Sequence, residues 1–244
     1  MRLTRLHVDR AMAIDDRIAL PESAVGHLVR VLRAGIGDGC VLFNGDGHDY
    51  DARITAIGKR SVEVEILAAR AIASESPLRI VLLQALARGE KMDWILQKAT
   101  ELGVEAIVPV ASERSEVRLD GERADKRSAH WRSVVVSACE QSGRATVPAV
   151  AAPGPLAQAV AGLPASTQRL LLDPLATQGM RMLDVAAGGI VLAIGPEGGW
   201  SARDLAMLRG NGFEGLRLGP RVLRTETAGI TAIAALQACH GDFA

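Results

Sequence analysis

The 244-residue chain predicts an α/β protein with a mostly parallel sheet covered on both faces, preceded by a small β-barrel-like module. Two observations separate the regions. From residue 78 onward, apolar runs alternate with stretches of helical period. Before residue 70 the runs are short, strand-like and divided by Gly/Asp turns. A third observation bounds the core. The chain is 48% hydrophobic but only 3% aromatic, so Val, Leu, Ile and Ala must fill it.

In the leading module, PESAVGHLVRVLR at 21–33 predicts a helix. Pro21 suits its first turn, and Val25, Leu28, Val29 and Leu32 form an apolar stripe. His27, Arg30 and Arg33 project elsewhere. Strands follow at 40–44, 52–58 and 61–67. The last alternates Val62, Val64 and Ile66 with Glu63 and Glu65, the pattern of a half-buried antiparallel strand. GIGDG at 35–39 and NGDGHD at 44–49 supply the turns. Composition shifts over 70–77, which divides the chain into domains 1–74 and 75–244.

The second region opens with LRIVLLQAL at 78–86, a run suited to a strand buried on both faces. KMDWILQKATELG at 91–103 places Met92, Ile95, Leu96, Ala99 and Leu102 at helical spacing and stops at Gly103. A strand at 104–110, a helix over 124–143 ended by Gly143, and strands at 168–174 and 188–196 follow. A helix at 201–210 carries Ser201 as N-cap, and a strand at 214–218 leads to a final helix at 224–239.

Charge and cysteine usage exclude several classes. The chain holds 28 basic and 28 acidic residues, which argues against indiscriminate coating of nucleic acid. All but four of the basic residues are arginine, whose planar fork suits phosphate. Cys40, Cys139 and Cys239 are far apart, without metal-ligand spacing, so no metal is expected. No signal-like segment or membrane-length apolar run is visible, and a cytoplasmic, non-membrane protein is expected.

Two segments carry the chemistry. IVLAIGPEGGW at 190–200 and GLRLGPRVLRTETAGIT at 215–231 each pair an apolar run with a Gly/Pro turn. Two such turns can meet over one pocket at the carboxyl ends of neighbouring parallel strands, where open α/β sheets bind ligands. Glycines let the backbone approach a ligand closely. No GxGxxG follows a strand, so a dinucleotide fingerprint is absent. The chain therefore reads as an enzyme or cofactor binder.

IGPEGGW at 194–200, LGPRVLRTETA at 218–228, KATELGVEAIVP at 98–109 and CEQSGRATVP at 139–148, in this order, resemble the RsmE family of ribosomal RNA methyltransferases. The resemblance spans essentially the whole chain, with HLVRVLR at 27–33 in its N-terminal part. It implies a SPOUT-type parallel sheet with a C-terminal trefoil knot, preceded by a PUA-like RNA-binding β-barrel. It also implies a homodimer using S-adenosylmethionine to methylate N3 of a specific uridine in 16S ribosomal RNA, within the small ribosomal subunit. The alternatives are a SPOUT enzyme acting on another base or ribose, and an inactive RNA-binding assembly factor. Trp200 departs from the smaller aromatic common there, which implies only local repacking.

The resemblance also directs attention to residues. Ile194, Gly195, Pro196, Glu197 and Gly198, with Leu216, Leu218, Gly219 and Leu223, become candidates for the cofactor, and Leu172 for a third wall. Leu216 has a competing reading as a core leucine, and Glu226 as a first-turn helix residue. Uridine N3 must lose a proton before or during transfer. Either a carboxylate accepts it or a cation stabilises charge on O2 or O4. Arg224 ranks first for that task, ahead of Glu197, with Arg10 as a further candidate. Arg2, Arg5, Arg10, Arg30, Arg33, Arg114, Arg118 and Arg144 are candidates for RNA contact. Ile230, Ile233, Ala234 and Leu236 on the final helix are candidates for the dimer interface.

Overall fold

The computed structural model describes residues 3–31, 33–117, 121–164, 167–185 and 188–243, and for Ser23, Ala24, His27, Arg30 and Val31 the backbone alone. Arg2, Leu32, Arg118 and the side chains of His27 and Arg30, all named above, lie outside the described residues. The chain forms two compact units, Met1–Glu75 with Val136–Val147, and Ser76–Val135 with Pro148–Ala244.

The smaller unit holds strands β1 (Arg5–His7), β2 (Arg17–Ala19), β3 (Gly39–Phe43), β4 (His48–Ile57) and β5 (Val62–Ala71) in the order β1-β3-β4-β5-β2. All neighbours are antiparallel except β1 and β3. Val62, Val64 and Ile66 are fully buried, as their alternation requires, in a core with Ile18, Leu42 and Ile54. Register shifts at Asp51/Ala52 and Ile54/Ala56 interrupt the β4–β5 ladder. The helix expected over 21–33 is shorter and wider. A single α-turn, α1 (Glu22–Val25), passes into a π-helical stretch, Gly26–Val31. The wider turn begins at Gly26, a poor α-helix former, and both Val25 and Leu28 are buried in the core.

The larger unit carries β6 (Ile80–Ala85), α2 (Lys91–Glu101), β7 (Ala106–Ala111), β8 (Ala149–Val150), β9 (Gly154–Pro155), α4 (Leu156–Ala161), β10 (Gln168–Leu172), β11 (Ile190–Ile194), α5 (Ala202–Gly210), β12 (Glu214–Leu216) and α6 (Thr225–His240). The long helix α3 (Gly121–Ser142) begins in this unit. Strand order is β12-β10-β11-β6-β7-β8, with β9 also on β7, and every pair is parallel. β11 is buried at all five positions, which explains its unbroken apolar sequence.

Local signals set the helix ends. Gly103 and Gly143 take φ of +83° and +91° just past α2 and α3, a conformation that favours glycine. Ser201 caps α5, accepting from the Asp204 N–H at 3.0 Å while Asp204 accepts from the Ser201 N–H at 3.3 Å. α6 corrects one expectation. Ile233 and Leu236, expected at a dimer interface, are fully buried within their own unit, where α6 packs on α2. Only Ile230 and Ala234 of that set keep partial exposure.

Candidate active site

Leu172, Ile194 and Leu216 are the last residues of β10, β11 and β12, three adjacent parallel strands. The register pairs Leu172 with Leu216 and Leu171 with Ala193, so the three strand ends are level. The loops that follow them enclose a cavity of about 740 Å³ at the carboxyl edge of the sheet. All ten residues expected to bind a cofactor line it: Leu172, Ile194, Gly195, Pro196, Glu197, Gly198, Leu216, Leu218, Gly219 and Leu223. Leu216 is both wall and core, being fully buried. Around these apolar walls stand Lys91, Asp173, Arg221 and Arg224.

The 194–199 turn is held at several points. The Gly199 N–H donates to the Pro196 carbonyl at 2.9 Å, with Gly199 at φ +68°. The Thr225 hydroxyl donates to the Gly195 carbonyl at 2.6 Å. A Cβ on Gly195 would lie 3.3 Å from the buried Trp200 indole nitrogen, so the loop closes tightly over that ring. Arg114 donates to the Gly198 carbonyl at 3.0 Å.

Glu197 is tied back as well. It accepts from the Arg88 N–H at 3.1 Å and from Lys91 Nζ at 3.0 Å. Partial burial pushes its carboxyl up, but these donors outweigh that and hold it below the usual carboxylate range. It is ionised and bonded at neutral pH. A carboxylate so engaged is a poor proton acceptor. Lys91 Nζ also stands 3.9 Å from Glu226 Oε2.

The arginines separate into groups. Arg224 is the N-cap residue of α6, exposed on the cavity wall, and its guanidinium has no partner among the described residues. Arg10 and Arg33 are exposed in the smaller unit, the Arg10 side chain reaching only the Ala11 carbonyl, at 3.4 Å, among the described residues. Neither lines the cavity. Arg5 and Arg144 correct the expectation of an RNA face. Arg5 is buried, donating to Asp49 at 2.5 Å and to the carbonyls of Cys139 and Arg144 at 2.7 and 3.2 Å. Arg144 is buried in an ion pair with Glu75. Neither guanidinium is presented to a phosphate.

Lys91, Asp173, Trp200, Arg221, Val222 and Thr225 line the cavity without having been singled out for it. Trp200, Arg221, Val222 and Thr225 lie inside the two Gly/Pro segments, so those motifs were the signal that marked them. Asp173 directly follows Leu172 at the end of β10, where the sequence reads only a chain turn, and Lys91 reaches the cavity by tertiary packing. Among the described residues, no three His, Cys, Asp or Glu side chains group as metal ligands.

The chain matches the model of an RNA methyltransferase domain over residues 74–237 and of an RNA methyltransferase PUA domain over 20–67. A ribosomal RNA small subunit methyltransferase E from Buchnera aphidicola is 33% identical, with 99% of this chain and 98% of the relative covered. A crystal structure of that enzyme from Neisseria gonorrhoeae, bound to S-adenosyl methionine, superposes with a TM-score of 0.95 at 41% identity, both chains covered completely. A putative methyltransferase from Legionella pneumophila, in complex with the same cofactor, gives a TM-score of 0.95 at 38% identity over 99% of this chain and 100% of that one. The α/β architecture is thus the SPOUT-like methyltransferase fold with an N-terminal PUA-like domain.

Proposed function

This chain belongs to the ribosomal RNA small subunit methyltransferase E family, and on that premise we propose that it methylates N3 of one uridine in 16S ribosomal RNA with S-adenosylmethionine as donor. The observation that carries the reading is the cavity at the ends of β10, β11 and β12. Its size suits an adenosyl group with an amino-acid tail. Leu172, Leu218 and Leu223 offer apolar faces to a purine, and the 194–199 turn brings backbone groups close to its edge. Arg221, with Lys91 paired to Glu197 and Asp173 paired to Arg209, puts both signs of charge on the lining, as a zwitterionic tail requires. When bound, the cofactor supplies an electrophilic methyl group on a sulfonium.

The chain's own residues do the rest. Arg224 holds its cation on the cavity wall, free to stabilise the negative charge that develops on O2 or O4 as N3 loses its proton. Glu197, bonded to Lys91 and the Arg88 N–H, orients the loop rather than moving the proton. Arg10 and Arg33, exposed on the PUA-like unit, are available for phosphate in the small-subunit RNA. Arg114, exposed and bonded to the Gly198 carbonyl, is a further cation available for phosphate in the larger unit.

Family membership supports a C-terminal trefoil knot and a homodimer. The face of α6 left for a second copy is Thr227, Ile230, Thr231 and Ala234, not Ile233 and Leu236. Free Cys40, Cys139 and Cys239 fit the reducing cytoplasm, and among the described residues no helix is long and apolar enough to cross a membrane.

The test is incubation of unmethylated small subunits with the protein and an isotope-labelled donor, followed by mass spectrometry of the RNA. A single N3-methyluridine is the expected product. Label on ribose or on another base overturns the assignment, as does no label at all.

A further inference from the structure

β6 is an apolar strand in the middle of the sheet, yet its fifth residue is Gln84, with no exposed surface. A buried primary amide brings two N–H donors and a carbonyl that need partners. Nε2 donates to the Ala85 carbonyl at 2.9 Å and to the Thr225 hydroxyl oxygen at 3.1 Å. Because a backbone carbonyl only accepts, the amide atom facing it must be the nitrogen, which fixes the orientation of the side chain. Oε1 has no partner among the described residues. Leaving a buried carbonyl unpaired is a cost that leucine at this position does not carry. Strand stability therefore does not account for Gln84. Its contact with Thr225 does.

That contact sets a direction. The Thr225 hydroxyl has one proton. Receiving an N–H from Gln84, it sends that proton to the Gly195 carbonyl, 2.6 Å away. The peptide group that joins Gly195 to Pro196 has no N–H, so its carbonyl is the only polar handle by which that group can be oriented. Thr225 directly follows Arg224 and begins α6. One hydroxyl thus joins the turn after β11 to the helix start that carries the arginine. Gly229, one turn further along α6, keeps the approach close: a Cβ there would meet Ile194 at 3.5 Å and Gln84 Oε1 at 3.7 Å.

We infer that Gln84 is a positioning residue for the cofactor loop, acting through the Thr225 hydroxyl on the Gly195 carbonyl. The inference rests on the cavity being the S-adenosylmethionine site. Calorimetry with S-adenosylmethionine, beside steady-state kinetics, tests it. Thr225→Val, which keeps the side-chain shape and removes the hydroxyl, weakens cofactor binding by about tenfold. KM for the cofactor rises in parallel while kcat changes far less. Thr225→Ser restores most of the affinity. Gln84→Met weakens binding by roughly threefold, a fraction of the effect of losing the hydroxyl itself.

The double variant Gln84→Met/Thr225→Val binds no more weakly than Thr225→Val alone, because the hydrogen bond to that hydroxyl is the one the Gln84 side chain sends toward the loop. Additive losses overturn the relay, and so does a serine variant as weak as the valine one. If Thr225→Val does not fold, Gln84→Met decides the matter, and unchanged affinity there overturns the inference. A wild-type protein that takes up no S-adenosylmethionine overturns the reading of the cavity and this inference together. Wild-type binding with unaffected variants overturns this inference alone.

Discussion

Arg5 and Arg224 are the same residue type in opposite states. In the smaller unit, Arg5 is 8% exposed, with Asp49 and two backbone carbonyls on its donors and the Phe43 ring 4.6 Å from its guanidinium carbon. In the larger unit, Arg224 stands exposed on a cavity wall with no partner among the described residues. A buried guanidinium is tolerable here because its charge is paired and both terminal nitrogens are bonded within the fold, Nε alone lacking a partner among the described residues. Such a residue cannot answer a new charge without breaking its own unit. An arginine whose donors are unused answers a charge that appears only during reaction. Partnering, not residue type, separates the structural arginine from the one proposed for the chemistry.

The largest effect that could break this comparison is on stability. Arg5→Ala leaves Asp49, only 7% exposed, with Arg70 at 3.9 Å as its nearest paired cation, and removes three hydrogen bonds. A loss of about 3–5 kcal/mol is expected, read as a lower urea midpoint. A loss under about 1 kcal/mol means that the buried pair is not holding the unit together.

Next in size, Arg224→Ala should leave stability within about 0.5 kcal/mol and lower single-turnover methyl transfer by roughly 10²-fold, with cofactor affinity little changed. Transfer at the normal rate removes Arg224 from the chemistry and moves Arg10 forward.

The smallest effect concerns another engaged polar group of the smaller unit. Tyr50, the only tyrosine, donates to Asp46 at 2.6 Å. That hydrogen bond, then burial and the Asp46 charge, push its pKa from 10.0 up to about 12. A raised folded-state pKa gives a contribution that is complete below the unfolded value and lost as pH rises through the folded one. The stabilisation is therefore full below pH 10.0 and disappears towards about 12, which ultraviolet titration of the native protein reads directly. Tyr50→Phe should cost about 1 kcal/mol and flatten that alkaline dependence. A tyrosine titrating at its ordinary value shows that the bond to Asp46 does not persist in solution.

Much of the fold was legible because its causes are local. Alternation at Val62, Val64 and Ile66, the buried run of β11, the glycines after α2 and α3 and the Ser201 cap each act over a few residues. The cavity was legible for a related reason. Most of its wall comes from two compact segments whose Gly/Pro turns follow directly on strands, so nine lining residues could be named from those segments and Leu172 from the end of a third strand. The π-helical stretch after α1 was not, since helical period does not distinguish a wider turn from an α-helix. The strands β8 and β9 are two residues each, too short for any pattern.

By itself, then, the sequence determined the alternation of strand and helix, the family, and the two turns that form the cavity, because these follow from local backbone preference and from motifs contiguous in the chain. Only the tertiary structure decided which charges are free. Arg5 meets Asp49 across 44 residues and Cys139 across 134, and Gln84 meets Thr225 across 141. Burial and pairing depend on what the fold brings from far along the chain, and a side chain's own neighbours in sequence carry no trace of it.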